Sequence, residues 1–162
     1  MSFKHYLPLI LFIPLILIQL NIIPLISFSY IAPDLIVILL IYFTLLYGQI
    51  YGTVLGFILG FLVDILTGGI LGAGMFTKTL TGFITGYFYN ENKIHFNTST
   101  LLFVFIIFII STLDSFIYAL ITSQLEVSIA FLFFENGLLS GFYTAVFSLP
   151  IILLRKNKFI YE

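Results

Sequence analysis

Four ionisable side chains lie inside long apolar stretches: Asp64, Lys78, Asp114 and Glu135. Each costs about 2.5–3.5 kcal/mol to place at the centre of a membrane helix, so each should face protein or water and find a partner. Grouped together they carry one ammonium and three carboxylates, a formal charge of −2. With one cation available, at least one carboxylate is expected to stay protonated or to meet water. Three roles fit such a cluster: a polar network that fixes helix order, a substrate or ion site, or a contact with a partner helix. Enzymatic chemistry has less to work with. The only histidines, His5 and His95, fall outside the apolar stretches, and cysteine is absent, so a zinc centre lacks its usual ligands. Ser140 has no intramembrane histidine to act as its base. An Asp64–Asp114 protease dyad is better answered by pairing Asp64 with Lys78. The glycine-rich run from Thr67 to Gly74 lacks the Lys-Ser/Thr of a phosphate loop and reads as a tight turn. The sequence therefore implies no enzyme, no cofactor and no metal.

The elements that must position these charges are membrane spans. Of 162 residues, 61% are hydrophobic and 8% charged, against about 25% charged in ordinary soluble domains. That excludes a soluble globular domain and a disordered chain. Six Lys and Arg in all make no basic face for nucleic acid. The chain reads as one all-α, polytopic membrane domain over residues 1–162. Six transmembrane helices are expected at about 6–29, 34–47, 50–66, 73–89, 99–122 and 128–154, the second and third of them short beside the roughly 20 residues that usually cross a bilayer. Pro8, Pro14 and Pro24 predict bends in the first span. A turn near Gly48 divides what would otherwise be one overlong helix. Gln19 and Asn21 are expected to act as interhelical hydrogen-bond glue. Lys4, Lys93, Arg155, Lys156 and Lys158 all fall on one side of this arrangement, which places both termini in the cytoplasm. Tyr6, Tyr47, Tyr51, Tyr87, Tyr89 and Tyr161 mark that interface, and Tyr30 and Tyr118 the opposite one. Asp114 and Glu135 then lie about 10–12 Å below the outer surface.

Small residues suggest how the helices meet. Gly48, Gly52, Gly56 and Gly60 recur every four residues, and Asp64 continues the row. Gly74, Lys78, Gly82 and Gly86 repeat the spacing. Such rows let two backbones approach closely in lipid. Pairs of equal depth in an antiparallel hairpin share a constant index sum, which sets Gly60 opposite Gly82, Gly56 opposite Gly86 and Asp64 opposite Lys78. An Asp64–Lys78 ion pair should close the hairpin. Gly137, Gly141 and Ala145 form a third row, able to seat either an internal helix or a partner helix.

The stretch from Ala32 to Tyr89 resembles the bacterial rod shape-determining MreD family. The likeness rests on Ala32-Pro33-Asp34-Leu35 opening an apolar span, and on the ladder from Gly48 to Gly60. It continues through Leu62-Val63-Asp64, Thr67-Gly68-Gly69, Leu71-Gly72 and the pair Gly82 and Gly86. Lys78, Asp114 and Glu135 map onto no motif of that family. The resemblance implies a non-enzymatic scaffold of the cell-elongation machinery in the bacterial inner membrane, embedded in membrane lipid. It would bind an MreC-like single-span protein and, indirectly, MreB filaments and the cell-wall glycosyltransferase and transpeptidase that serve peptidoglycan synthesis. The partner would sit near Gly137, Gly141 and Ala145, or at the Asp34 end of the second span. The family is also similar in fold to substrate-binding subunits of energy-coupling-factor transporters. That likeness sets the alternative, a subunit that binds a small vitamin-type ligand. The first span lacks the alanine-rich spacing typical of those subunits.

Overall fold

A computed structural model describes residues 6–27, 31–123 and 128–156, and among them the chain is helical with no strand. Lys4, His5, Tyr30, Lys158 and Tyr161, and most of the loop before Ser128, lie outside the described residues. The helices are α1 (Leu7–Asn21), α2 (Ile23–Ile26), α3 (Leu35–Tyr47), α4 (Gln49–Thr67), α5 (Ala73–Thr85), α6 (Ile94–Ser99), α7 (Leu101–Thr122), α8 (Ile129–Phe131) and α9 (Ser140–Lys156). A π-helical segment, Leu132–Leu139, joins α8 to α9.

Among the described residues three helical stretches are long and apolar enough to cross a membrane: Gln49–Thr67, Leu101–Thr122 and Ile129–Pro150. Their outward faces carry exposed Phe, Ile and Leu, among them Phe57, Phe61, Phe105, Phe134 and Phe142. A water-facing surface would not tolerate so much of it, whereas lipid does. The first expected span is not one continuous helix. It breaks at Ile22, two residues before Pro24, because the proline ring and missing N–H stop α1 from continuing.

Helix α3 is the hub. Residues 36–41 are all buried, the signature of a helix apolar all round and enclosed by others. One side packs with Phe103, Ile106, Ile107 and Ile110 of α7 and Ala145 of α9. The other packs with Phe12 and Ile16 of α1 and Leu55 and Leu59 of α4. Gly48 alone joins α3 to α4. Its φ of 92° is a region that residues with a Cβ rarely enter, and its N–H donates to the Thr44 carbonyl at 2.8 Å.

Helices α4 and α5 pair more closely than any other two described elements. A Cβ added at Gly56 would strike the Lys78 carbonyl, one at Gly60 the Gly74 carbonyl, and one at Gly82 the Gly52 carbonyl. Backbone therefore touches backbone, as the glycine rows predict. The register differs from the expected one. Gly82 meets Gly52 rather than Gly60, and Gly60 meets Gly74 rather than Gly82, a slip of more than two turns or about 12 Å. The cause is the connection between the helices. It runs back beside the last turns of α4, so α5 starts level with Gly60 rather than with the end of α4. Gly86 ends up against the Gln49 side chain, not Gly56.

Candidate functional site

The start of α3 anchors the site. Its 13 residues span about 20 Å, less than the roughly 30 Å hydrocarbon core of a bilayer, and Asp34, its N-cap, is partly buried. The backbone around it needs partners that lipid cannot supply, and side chains from two other helices provide them. Asp34 Oδ1 accepts from the N–H of Ile36 (2.9 Å) and Val37 (3.1 Å). Gln19 of α1 accepts from Leu35 N–H at 3.0 Å and donates to the Pro33 carbonyl at 2.9 Å. Thr144 of α9 accepts from Asp34 N–H at 3.0 Å. Ser140 donates to the Ala32 carbonyl at 3.3 Å. Gln19 thus acts between helices as expected. Asn21 does not: its amide donates to the Leu17 carbonyl of its own helix and is exposed.

The other Asp34 oxygen faces Lys78. The Lys78 ammonium donates to Asp34 Oδ2 at 2.9 Å and to Asp114 Oδ2 at 3.3 Å. Thr81, one turn along α5, donates to Asp114 Oδ1 at 2.8 Å. One ammonium thereby ties α3, α5 and α7 together. Lys78 and Asp114 are almost wholly buried, with side chains 5% and 4% exposed, whereas Asp34 is 25% exposed. Above this triad lies a cavity of about 460 Å³ at the end of the bundle that carries the α4–α5 connection. Asp34, Lys78 and Asp114 form its floor, and Ser115, Tyr118 and Asn136 contribute to its walls.

The expected Asp64–Lys78 ion pair does not form. Asp64 instead accepts three backbone N–H bonds, from Gly72 (2.9 Å), Gly74 (3.0 Å) and Met75 (3.1 Å). It closes the hairpin as a cap on the start of α5, where free N–H groups and the helix dipole favour a carboxylate. Lys78, displaced along α5 by the register slip, turns to α3 and α7. Glu135 does not join the triad either. It sits in the π-helical segment, half-buried, and no ion pair connects it to the cluster among the described residues. Its neighbour Asn136 is the residue that lines the cavity.

The third small-residue row seats an internal helix. Gly137 lies against Phe116 and Thr112, Gly141 against Thr112, all of α7. Ala145 is buried in the core, and Ser111 of α7 donates to the Gly141 carbonyl at 3.3 Å. That face is covered rather than left for a partner. Sequence reasoning placed Asp34 at a partner contact and missed its pairing with Lys78. Thr81 and Thr144 gave no signal, since threonine is common in membrane helices and only the packing selects these two.

Among the described residues no group of three or more His, Cys, Asp or Glu is placed to hold a metal. The arrangement orders helices and leaves one carboxylate edge open to a cavity. A family model described as rod shape-determining protein MreD matches residues 2–158. A search of curated proteins found no match, and a search of solved structures found none.

Proposed function

The chain belongs to the rod shape-determining MreD family, and from that premise we propose that it is a multi-pass scaffold of the bacterial inner membrane that docks an MreC-like single-span protein and so supports peptidoglycan synthesis during rod elongation. The family match across residues 2–158 carries this reading. The use of the charges supports it. Asp64 caps a helix and Lys78 ties three helices together, work that builds a rigid body rather than a reaction centre. Six crossings with both termini in the cytoplasm follow from the side on which Lys4, Lys93, Arg155, Lys156 and Lys158 fall. With the Gly137–Gly141–Ala145 row covered by α7, the partner helix docks on an outer apolar face, matched in depth and held by packing. Association then leads on to the MreB filament and the cell-wall glycosyltransferase and transpeptidase.

Co-expression with an MreC-like partner tests the docking role. The partner should co-purify with the chain from membranes, and complete loss of association would overturn the role. A second reading, a ligand-binding subunit of a transporter, is favoured by one observation, the cavity above Asp34. Its test is uptake of a vitamin by vesicles holding the chain and an energy-coupling module. Scaffolding predicts no uptake.

A further inference from the structure

The Lys78 triad is not electrically balanced. Two carboxylates, Asp34 and Asp114, share one ammonium, which with both carboxylates ionised leaves a formal charge of −1. Asp64 does not enter this balance, being held by three N–H groups of its own. An uncompensated charge is costly in so apolar a setting. The structure shows where compensation can reach it. Asp34 is the one member with appreciable exposure, 25% against 5% and 4%. Its Oδ1 is filled by the Ile36 and Val37 N–H groups, while among the described residues Oδ2 accepts only from Lys78. A carboxylate oxygen has two lone-pair directions, so Oδ2 has capacity for a second donor, and Asp34 lines the cavity. At about 460 Å³ the cavity falls within the roughly 300–1,000 Å³ of small-molecule sites. Val63 and Ile31 give it apolar wall, and Ser115 and Ser140, whose hydroxyls lie 3.1 Å apart, give it polar wall.

We infer that this cavity binds an organic ammonium group, which donates to Asp34 Oδ2 and rests its carbon atoms on the apolar wall. An anion would add negative charge to a floor that already carries it. The mixed wall suits a cation that carries hydrocarbon rather than a bare ion. Such a group has two sources: the headgroup of an aminophospholipid entering from the membrane, or a free water-soluble amine. The inference uses only the cavity and the triad, and it holds whether or not the chain docks a partner.

The test is thermal unfolding of the full chain, delipidated in dodecyl maltoside, with phosphatidylethanolamine, phosphatidylglycerol or ethanolamine added. Phosphatidylethanolamine should raise the unfolding temperature saturably and phosphatidylglycerol should not. A saturable shift with ethanolamine alone identifies a free amine as sufficient, and a shift with the lipid alone identifies the headgroup. Ser115→Phe, which fills the cavity and leaves the triad intact, should abolish the saturable shift. Asp34→Asn should weaken binding on the order of tenfold or more, as expected for loss of a charge-assisted bond. Because Asp34 also caps α3, Ser115→Phe and the comparison of the two lipids decide the matter if Asp34→Asn does not fold. Equal shifts with both lipids, no saturable shift with either amine, or full affinity in Ser115→Phe would overturn the inference.

Discussion

Replacing Lys78 by methionine is the perturbation that the structure resolves most sharply. Methionine keeps much of the volume and removes the ammonium that touches Asp34 at 2.9 Å and Asp114 at 3.3 Å. Among the described residues Asp114 then keeps only the Thr81 hydroxyl, while Asp34 keeps two backbone N–H bonds. Most of the penalty therefore falls on Asp114, which is almost wholly buried. Breaking a buried pair from one side costs about 3–5 kcal/mol. Polar pairs in membrane proteins run weaker, about 0.6 and at most about 1.7 kcal/mol by double-mutant cycles. Two such pairs plus a stranded carboxylate give about 2–4 kcal/mol for Lys78→Met. Adding Asp114→Asn removes the stranded charge and should recover about 1–2 kcal/mol. The assay is reversible unfolding in mixed micelles titrated with sodium dodecyl sulfate, read by circular dichroism as a double-mutant cycle. The Lys78–Asp114 coupling should reach about 1 kcal/mol. The Lys78–Asp64 coupling should stay within about 0.5 kcal/mol, the scatter of independent sites. Coupling of Lys78 to Asp64 rather than to Asp114 would refute the assignment, as would a Lys78→Met loss below about 0.5 kcal/mol.

Substitutions at three further positions probe the remaining parts of the frame. Asp64→Ala strands the N–H groups of Gly72, Gly74 and Met75 and should cost about 2–3 kcal/mol; Asp64→Asn, which keeps one oxygen, should cost less in the same assay. Gly56→Ala drives a methyl into the Lys78 carbonyl and should lose about 1–3 kcal/mol in the same unfolding assay. Gln19→Leu frees the Leu35 N–H and the Pro33 carbonyl; a thermal melt should show a loss of about 1–3 kcal/mol.

The sequence made parts of this legible because their signals are local. The Gly48 turn shows as a polar interruption of an apolar run. The rows through Gly56, Gly60 and Gly82 announce a close backbone contact, since lipid gives glycine little other reason to recur every four residues. Burial cost alone marked Lys78 and Asp114 as residues in need of partners. What the sequence hid depends on where loops travel. The index-sum argument assumes that the chain turns at the top of α4, but Gly72 and Gly74 fold back onto Asp64. That fold-back shifts the register, takes Asp64 from Lys78 and hands Lys78 to Asp34 and Asp114. A carboxylate satisfied by backbone N–H groups leaves no complementary charge in the sequence to find. The pairing of Asp34 with Lys78 stayed hidden for a related reason, because an apolar run shows where a helix lies and not which helices its end meets. Glu135 was grouped with the others by depth alone, and depth does not fix the face of a helix, least of all in a π-helical segment.

The account holds that a rigid body, built on the α4–α5 contact, works by docking. Its most direct test is the affinity of the purified chain, in lipid nanodiscs, for an MreC-like single-span partner, measured for the wild type and for Gly56→Leu, which wedges α4 from α5. The account predicts saturable binding by the wild type and its loss in the variant. Absence of binding by the wild type, or equal binding by a variant whose helices have been forced apart, would contradict it.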